Sequence, residues 1–313
     1  MKVLLAGATG AVGRPLLRAL TAAGHQGIAV IRTPENRRMV NDLGAAAVVA
    51  NVMDRDGLLH AVDGLSADVV IHQATALRNA GRTIRLDDPT IALRHTGSAH
   101  LLEAAAVLGA GRFATQSLIT GYGYRDHGRT VLTEDDRFGE LAGNAADPVV
   151  ESTVAAEEQA FAASGIEGVA LRYGMFYGPN AFSDKFAGLM RKRLPVMPWG
   201  ETGFTCFVHV DDAASAAIAA MERGRPGQAY NIVDDEPATW RQFVAAVAAT
   251  HGTPHPVSVP AWLFRRMVPY LGCLMIDTSM RVSRAKATRE LGWNPLMPNL
   301  QVGLAGGVDE RAR

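Results

Sequence analysis

Val3-Leu4-Leu5-Ala6-Gly7-Ala8-Thr9-Gly10-Ala11-Val12-Gly13 is the stretch that decides the fold. It begins as a short apolar strand, and apolar residues then recur at helical spacing, at Leu16 and Leu20. A strand, a Gly-x-x-Gly-x-x-Gly loop and an amphipathic helix, in this order, seat a pyrophosphate at a helix N-terminus. Gly7 permits the tight turn, Gly10 lets the backbone approach phosphate, and Gly13 lets the helix pack closely on its strand. The stretch predicts dinucleotide binding, with a purely structural glycine turn as the alternative.

Strand-like and helix-like segments alternate from residue 1 to about 172. The strand candidates are Lys2–Ala6, Ile28–Arg32, Ala47–Ala50, Val69–His72, Arg112–Gln116 and Val169–Arg172. Strands regularly separated by helices predict an α/β fold, a Rossmann-type doubly wound parallel sheet whose ligands bind at the carboxyl ends of the strands.

After residue 172 the sequence becomes rich in Pro and Gly, and then gives a further strand, helix and strand at Thr205–Val210, Asp211–Glu222 and Gln228–Val233. We therefore expect residues 1–172 and about 207–233 to form the dinucleotide-binding domain. Residues from about 173 to 206 and from 234 to 302 would form a smaller, discontinuous substrate domain, and residues 303–313 a frayed tail.

The charge balance argues against nucleic-acid and membrane partners, and the cysteine content argues against disulfides and a metal site. The 31 basic and 31 acidic side chains cancel, which disfavours nucleic acid and membrane surfaces. Cys206 and Cys273 have no metal-ligand spacing, so we expect free thiols in a reducing compartment and no metal site. Met1 leads directly into the first strand without a signal-peptide pattern, which predicts a cytoplasmic protein.

An arginine follows the second strand. An acidic side chain at this position accepts hydrogen bonds from the adenosine ribose, whereas an arginine pairs with a 2′-phosphate. Arg32 therefore favours NADP over NAD, with a solvated Arg32 that only stacks on adenine as the alternative.

A resemblance to the atypical and extended short-chain dehydrogenases/reductases, in particular their NAD-dependent epimerase/dehydratase branch, runs along almost the whole chain. The segments that carry it are Gly7–Gly13, Val70–Ala74, His100–Ala105, Leu171–Tyr173, Tyr177–Pro179, Phe207–Asp212, Tyr230–Ile232 and Arg289–Pro295. The resemblance implies a cofactor site built by Gly7, Thr9, Gly10, Ala11, Val12, Gly13, Arg32, Asn51, Val52, Gln73, Ala74, Thr75, Gln116 and Tyr173.

The catalytic Tyr-x-x-x-Lys dyad of that family is missing. The matching helix opening carries Val149 where the family has its tyrosine and Thr153 where it has its lysine. Val149 has no titratable proton and Thr153 supplies no cation, so standard dyad chemistry is excluded at these positions.

Other groups could supply the proton. Tyr122 is our first choice, followed by Tyr173 and His209, with Ser117 as a group that polarises a carbonyl oxygen; Thr120 is an alternative to Ser117. For each of them the alternative is a hydrogen-bonded structural residue.

The substrate domain lacks the groups that clamp a sugar-nucleotide diphosphate in the related enzymes. Met175 stands where they have asparagine, and Thr205 where they have a phosphate-binding arginine. We expect a pocket for a small hydrophobic molecule, contributed by Thr120, Met175, Phe176, Trp199 and Thr205.

Two further features have structural explanations. We interpret Asp211 and Asp212 as residues that cap a helix rather than as a metal site. We interpret His72 as a residue near the cofactor that is hydrogen-bonded to the backbone. The alanine-rich helix around residues 155–163 resembles the family's dimerisation helix and allows a homodimer, with plain packing on the sheet as the alternative.

The sequence thus predicts an NADP-dependent oxidoreductase that acts on a small hydrophobic carbonyl or enone through a non-standard proton donor. The alternatives are a redox-silent NADP-binding protein with a structural or regulatory function, and a non-redox isomerase or cyclase on the same fold.

Overall fold

A computed structural model describes residues 1–76, 84–85 and 87–309. Its α-helices are α1 Gly13–Ala22, α2 Arg37–Asp42, α3 Arg55–Val62, α4 Pro89–Ala92, α5 Ser98–Val107, α6 Asp147–Ala162, α7 Phe182–Arg191, α8 Val210–Arg223, α9 Trp240–Thr250, α10 Ala261–Met267, α11 Pro269–Gly272 and α12 Leu300–Asp309. Short 3-10 turns cover Pro34–Asn36 and Ile119–Tyr122, and π-helical turns cover Leu93–Gly97, Cys273–Asp277 and Ala287–Leu291.

The strands form one large sheet and four small ones. They are β1 Lys2–Ala6, β2 Gln26–Ile31, β3 Ala46–Val49, β4 Val69–His72, β5 Arg112–Leu118, β6 Asp126–Leu132, β7 Glu167–Tyr173, β8 Met175–Tyr177, β9 Pro195–Pro198, β10 Phe204–Thr205, β11 Phe207–His209, β12 Gln228–Ile232, β13 Ala238–Thr239, β14 Val257–Val259 and β15 Ser279–Val282. The large sheet has seven parallel strands in the order β12-β7-β5-β4-β1-β2-β3. The predicted doubly wound α/β fold is confirmed.

The central strand β1 shows why helices cover both faces of this sheet. Val3 and Leu5 point to one face, into an apolar cluster with residues of α1 and α8. Leu4 and Ala6 point to the other face and pack with residues of α3 and α5. Since side chains alternate along a strand, a continuous apolar run requires an apolar layer on each side.

After β7, strand β12 is the part of the described chain that rejoins the large sheet. It pairs with β7 from Gln228 opposite Val169 to Ile232 opposite Tyr173, as predicted for this segment. The predicted strand Thr205–Val210 instead divides into β10 and β11, and β11 pairs with β8 outside the large sheet. The division into two domains stays a prediction.

The end of the chain is more ordered than the prediction of a frayed tail from residue 303. Helix α12 continues to Asp309 because Leu300 and Leu304 are buried in an apolar cluster that includes Trp240 and Phe243 of α9. Residues 310–313 of the predicted tail lie outside the described residues. Within the described residues, no helix has the length and apolar character needed to cross a membrane.

Candidate functional site

A cleft of about 1170 Å³ opens at the carboxyl ends of β1, β2 and β4. Every residue of the predicted cofactor site lines it except Gly13 and Tyr173. The predicted residues in the lining are Gly7, Thr9, Gly10, Ala11, Val12, Arg32, Asn51, Val52, Gln73, Ala74, Thr75 and Gln116. The sequence interpretation did not include the lining residues Val30, Ile31, Thr33, Asn36, Ala50, Met53, Ala76, Asp87, Pro89, Ala92, Leu93, Asn180, Ala181, Phe182, Asp184 and Lys185.

The glycine loop lies so close to its surroundings that side chains do not fit. Gly7 has a φ of 91°, and a Cβ on it would lie 2.4 Å from the carbonyl carbon of Gln73. A Cβ on Gly13 would lie 2.1 Å from the carbonyl oxygen of Gly7, so this glycine lets α1 pack against the loop. The loop backbone therefore forms one wall of the cleft.

The N-terminus of α1 is open towards this wall. Val12 precedes the helix and makes no side-chain cap, and residues Thr9 to Val12 all line the cleft. The first amides of a helix lack intrahelical acceptors and carry the positive end of its dipole. This end of the cleft can hold a pyrophosphate.

The end of β2 supplies a cationic edge to the same cleft. Arg32 and Thr33 follow the strand and Asn36 closes the next turn, where its Nδ2 donates to Thr33 Oγ1 at 3.0 Å. No acidic side chain from this segment lines the cleft in the part of the chain that the structure describes.

Gln73 connects the cleft to Tyr173. Its Nε2 donates to the Tyr173 hydroxyl at 3.1 Å, and that hydroxyl donates to the carbonyl of Ala213 at 3.3 Å. Gln73 Oε1 is buried with no hydrogen-bond partner among the described residues. Burial raises the pKa of Tyr173, which lies behind Gln73 rather than in the lining.

His72 is held by the backbone, in line with the structural interpretation given to it. Its Nδ1 accepts from the amide of Ala74 at 3.3 Å, so its Nε2 carries the hydrogen that is donated to the carbonyl of Leu93 at 3.1 Å. Burial lowers the pKa of His72 to about 4, and the ring is neutral at pH 7.

Tyr122 and Ser117 lie in a buried polar network rather than in the cleft lining. The Tyr122 hydroxyl lies 2.8 Å from Thr133 O and 3.0 Å from Asn231 Oδ1, which compete for its single proton, and it accepts from Arg172 at 3.1 Å. Ser117 donates to Glu157. Burial raises the pKa of Tyr122 to about 12. The geometry favours a structural function for Tyr122, whose assignment as proton donor stays a prediction.

The remaining predicted side chains are distributed over different parts of the molecule. Phe176 lines the cleft, whereas Met175, Thr120 and Thr205 are buried outside its lining. Trp199 is 61% exposed and does not line the cleft.

His209 lies at the start of α8, where its Nδ1 accepts from the amide of Asp211 at 3.3 Å. His209 therefore caps this helix, and Asp211 and Asp212 occupy the first turn, which also benefits from negative charge. Asp212 accepts from the amides of Leu296 and Met297, both at 2.8 Å.

The two positions that the sequence analysis aligns with the family's dyad lie on the buried face of α6. Val149 belongs to an apolar cluster, and Thr153 Oγ1 donates back to the carbonyl of Val149 at 2.7 Å. No tyrosine, histidine or cysteine lines the cleft within the described residues.

Sequence reasoning missed a buried cation beside these positions. Arg94 is 3% exposed, and its Nη1 donates to Ser152 Oγ at 3.4 Å. The hydroxyls of Tyr124 and Tyr270 lie 2.9 Å apart, and both phenols interact electrostatically with Arg94. The sequence shows this residue only as one arginine between Leu93 and His95. Its burial could not be predicted, because it depends on how the helices pack.

No group of three or more His, Cys, Asp or Glu side chains with metal-binding geometry occurs within the described ranges.

Comparison with known proteins agrees with this architecture. The family model of the NAD dependent epimerase/dehydratase family matches residues 3–233. The chain is 38% identical to the 3-diazoavenalumate denitrifying reductase of Streptomyces sp, over 97% of this chain and 99% of the relative. It is 26% identical to the 4-hydroxy-2-methyl-3-oxo-4-farnesyl-3,4-dihydroquinoline-1-oxide ketoreductase of Stigmatella aurantiaca, over 94% and 92% of the two chains.

A solved structure gives the same fold at lower sequence identity. The UDP-glucose 4-epimerase of Bifidobacterium longum, in complex with NAD+ and UDP, superposes with a TM-score of 0.80 at 19% identity, over 100% of this chain and 98% of that one. The match to the family model covers most of the chain, and the parallel sheet is that of the matched fold. The chain belongs to the NAD dependent epimerase/dehydratase family.

Proposed function

We propose that this chain is an NADP-dependent reductase of a small apolar, aromatic substrate. The cleft supports the binding of a dinucleotide through its glycine wall, where a Cβ on Gly7 would occupy the space, and through the open N-terminus of α1. Gln73 Oε1 adds a buried acceptor that has no partner among the described residues. These features fit a nicotinamide dinucleotide extended along the carboxyl ends of the strands.

The preference for NADP rests on the end of β2. Arg32 lines the cleft together with Thr33 and Asn36, which offer a cation, a hydroxyl and an amide to a 2′-phosphate. A ribose with free hydroxyls would be recognised by a carboxylate, and none from this segment lies in the described lining.

The observation that carries the choice of reaction is that the described lining contains no tyrosine, histidine or cysteine. When bound, NADPH supplies a hydride, and an acceptor that needs no proton suits a lining whose titratable groups besides Arg32 are Asp87, Asp184 and Lys185. An arenediazonium ion meets the condition: the carbon–hydrogen bond forms, the carbon–nitrogen bond breaks, and its electron pair leaves with N2. The balance is ArN2+ plus hydride giving ArH and N2.

The name of the Streptomyces relative, 3-diazoavenalumate denitrifying reductase, supports this substrate class. In this chain Ala92, Leu93 and Phe176 give the cleft apolar lining against which an aromatic ring can lie. Val149 in place of the family's tyrosine removes a proton donor that this reaction does not use.

The test uses 4-carboxybenzenediazonium as substrate and NADPH deuterated at its transferable position. We expect benzoate that carries one deuterium on the ring carbon that lost nitrogen, and no ring deuterium when unlabelled NADPH is used in D2O. The Gly7→Ala variant controls for the uncatalysed reaction, because its Cβ would collide with the Gln73 backbone. Equal rates for the parent and this variant would refute the proposal.

A second candidate is the reduction of a hydrophobic ketone or enone. It is favoured by two relatives with reductase names, the Stigmatella ketoreductase and the 2-alkyl-3-oxoalkanoate reductase of Stenotrophomonas maltophilia, which is 27% identical. This reaction needs a proton, and Tyr173 is the predicted donor whose hydroxyl is bonded to a lining residue, Gln73. NADPH oxidation with a panel of ketones and enones, but not with diazonium salts, would establish it.

The redox-silent and isomerase alternatives predict tight NADP binding without NADPH oxidation on either panel. A homodimer packed through α6 also stays a prediction, which light scattering of the purified protein tests. The cytoplasmic location expected from the sequence stays a prediction as well.

A further inference from the structure

Arg94 is a buried cation whose hydrogen-bonding capacity is mostly unused. Its side chain reaches Ser152 through Nη1, at the long distance of 3.4 Å. Its Nε and Nη2 atoms are buried and have no hydrogen-bond partner among the described residues. These two atoms form the edge of the guanidinium whose parallel N–H groups match the two oxygens of a carboxylate.

The charge on Arg94 is not neutralised by an ion pair in the described part of the chain. Asp88 interacts with it only at Coulombic range, and no salt bridge to a carboxylate is formed. Burial lowers the pKa of Arg94, but a guanidinium starts so high that it keeps its proton. A buried, unpaired charge is strongly destabilising, and an anion that pairs with it offsets part of that cost.

The surroundings of Arg94 are neutral hydroxyls rather than acids. The hydroxyls of Tyr124 and Tyr270 share one hydrogen bond, which uses one of their two protons and leaves the other for a further acceptor. Burial raises the pKa of both phenols, so both stay protonated and do not repel an anion. A third hydroxyl, that of Thr120, is buried beside Tyr124.

Arg94 lies between the cleft and the helix that carries the missing dyad. The residue before it, Leu93, lines the cleft, and its own contact Ser152 directly precedes Thr153 on α6. Tyr124 and Val149 belong to one apolar cluster, against which Tyr270 also packs. A substrate that reaches the former dyad positions from the cleft would meet this cation.

We propose that Arg94 binds a carboxylate of the substrate, with the Tyr124 and Tyr270 hydroxyls beside it as further donors. The inference rests on the proposed function only in taking the cleft as the place where a small molecule binds. It adds a substrate class, namely apolar aromatic molecules that carry a carboxylate. Arg94 is a binding residue in this proposal, and it neither donates nor accepts the transferred proton or hydride.

The test measures binding rather than turnover. Calorimetric titration of the NADP+-loaded protein with trans-cinnamate and with the uncharged cinnamamide compares ligands of one shape that differ in charge. We expect cinnamate to bind about 10- to 100-fold more tightly than cinnamamide. Arg94→Met should remove that difference by weakening cinnamate alone. Ser152→Ala, which removes the described hydrogen bond but keeps the cation, should preserve it.

The melting temperatures of the variants distinguish a loss of ligand binding from a loss of folding. Since a buried unpaired charge is replaced by an apolar chain of similar length, Arg94→Met should unfold at the same temperature as the parent or higher. Tyr270→Phe is a milder second variant that should weaken cinnamate about threefold or more and leave cinnamamide unchanged. If Arg94→Met melts well below the parent, or if both ligands bind the parent equally, the anion site is refuted. Failure of NADPH oxidation with intact cinnamate selectivity would refute the proposed reaction alone.

Discussion

Arg172 donates through Nε and Nη2 to the two carboxylate oxygens of Glu157, at 2.9 and 2.8 Å, and both side chains are buried. Arg172 lies on β7 and Glu157 on α6, so the pair fixes this helix on the sheet. A paired buried charge is strongly destabilising once its partner is removed.

Glu157→Gln should therefore lower the free energy of unfolding by about 3–5 kcal/mol, because it leaves the Arg172 guanidinium uncompensated. Urea denaturation gives the midpoint from which this value is obtained. The exposed pair of Arg38 and Asp42 is the control, and Asp42→Asn should cost less than about 1 kcal/mol. Similar losses in the two variants would contradict this account of the buried pair.

Tyr122→Phe separates a structural function of this residue from catalysis. The hydroxyl contacts Thr133, Asn231 and Arg172, so its loss should destabilise the fold by about 1–3 kcal/mol. Turnover at a temperature where the variant is folded should stay within about threefold of the parent. A large fall in kcat with an unchanged melting temperature would instead establish Tyr122 as the proton donor predicted from the sequence.

Arg32→Ala should weaken NADPH binding by about 10- to 100-fold and leave NADH binding nearly unchanged, because only the first cofactor has a 2′-phosphate. Fluorescence titration of the purified protein measures both dissociation constants. Arg38→Ala is the matched control, since Arg38 is close in sequence but does not line the cleft. An equal effect of Arg32→Ala on the two cofactors would assign this arginine to adenine stacking.

Gly13→Ala should abolish dinucleotide binding and destabilise the loop, since the new Cβ would lie 2.1 Å from Gly7 O and 2.7 Å from Ala8 Cα. Gly188, inside α7, is the control because a Cβ there meets nothing within 4 Å. Gly188→Ala should raise stability by up to about 1 kcal/mol through its higher helix propensity. Thermal unfolding with and without NADP+ measures both effects, and an NADP+-dependent stabilisation of Gly13→Ala equal to that of the parent would contradict the packing argument.

Two buried groups with large pKa shifts act on the pH dependence of stability in opposite directions. Burial raises the pKa of Asp234 to about 8, and nearby Asp212 and Asp235 add to the effect. The native state therefore holds a proton that the unfolded chain has lost above about pH 4, so stability falls as the pH rises from 4 to 8. His72, with its pKa lowered to about 4, binds fewer protons when folded, so its contribution rises with pH between about 4 and 6.5.

The two contributions oppose each other below about pH 6.5, whereas between about 6.5 and 8 the contribution of His72 no longer changes and that of Asp234 still falls. We expect the midpoint of urea denaturation to fall over that interval and Asp234→Asn to flatten the curve. Asp63→Asn, at an exposed carboxyl, should leave the curve unchanged. A slope that persists in Asp234→Asn would assign it to another group.

The large sheet was predictable because each of its strands is a short apolar run bounded by loop residues. Val69–His72 and Lys2–Ala6 were located without error, and the other large-sheet strands within two residues. The pairing of β8 with β11 was not predictable, because strands of three residues carry no periodicity.

The candidate site, like the fold, could be predicted from the sequence only in part. Its cofactor end follows from local sequence, since Gly7 and Arg32 each follow a strand. Arg94 was missed because its burial depends on contacts with α6 and with Tyr270, which lie far along the chain. The hydroxyl of Tyr122 was assigned to catalysis because its partner Arg172, 50 residues away, could not be identified from one sequence.

The late arrival of β12 in the sheet has a consequence for synthesis of the protein. Until Gln228–Ile232 leaves the ribosome, β7 is the border of a growing parallel sheet with its backbone donors and acceptors unpaired along that side. Such a border can recruit the same strand of another nascent chain. Chains truncated between residues 173 and 228 are therefore expected to aggregate, and trigger-factor-like holdases are expected to improve the yield of the full chain at this stage of translation.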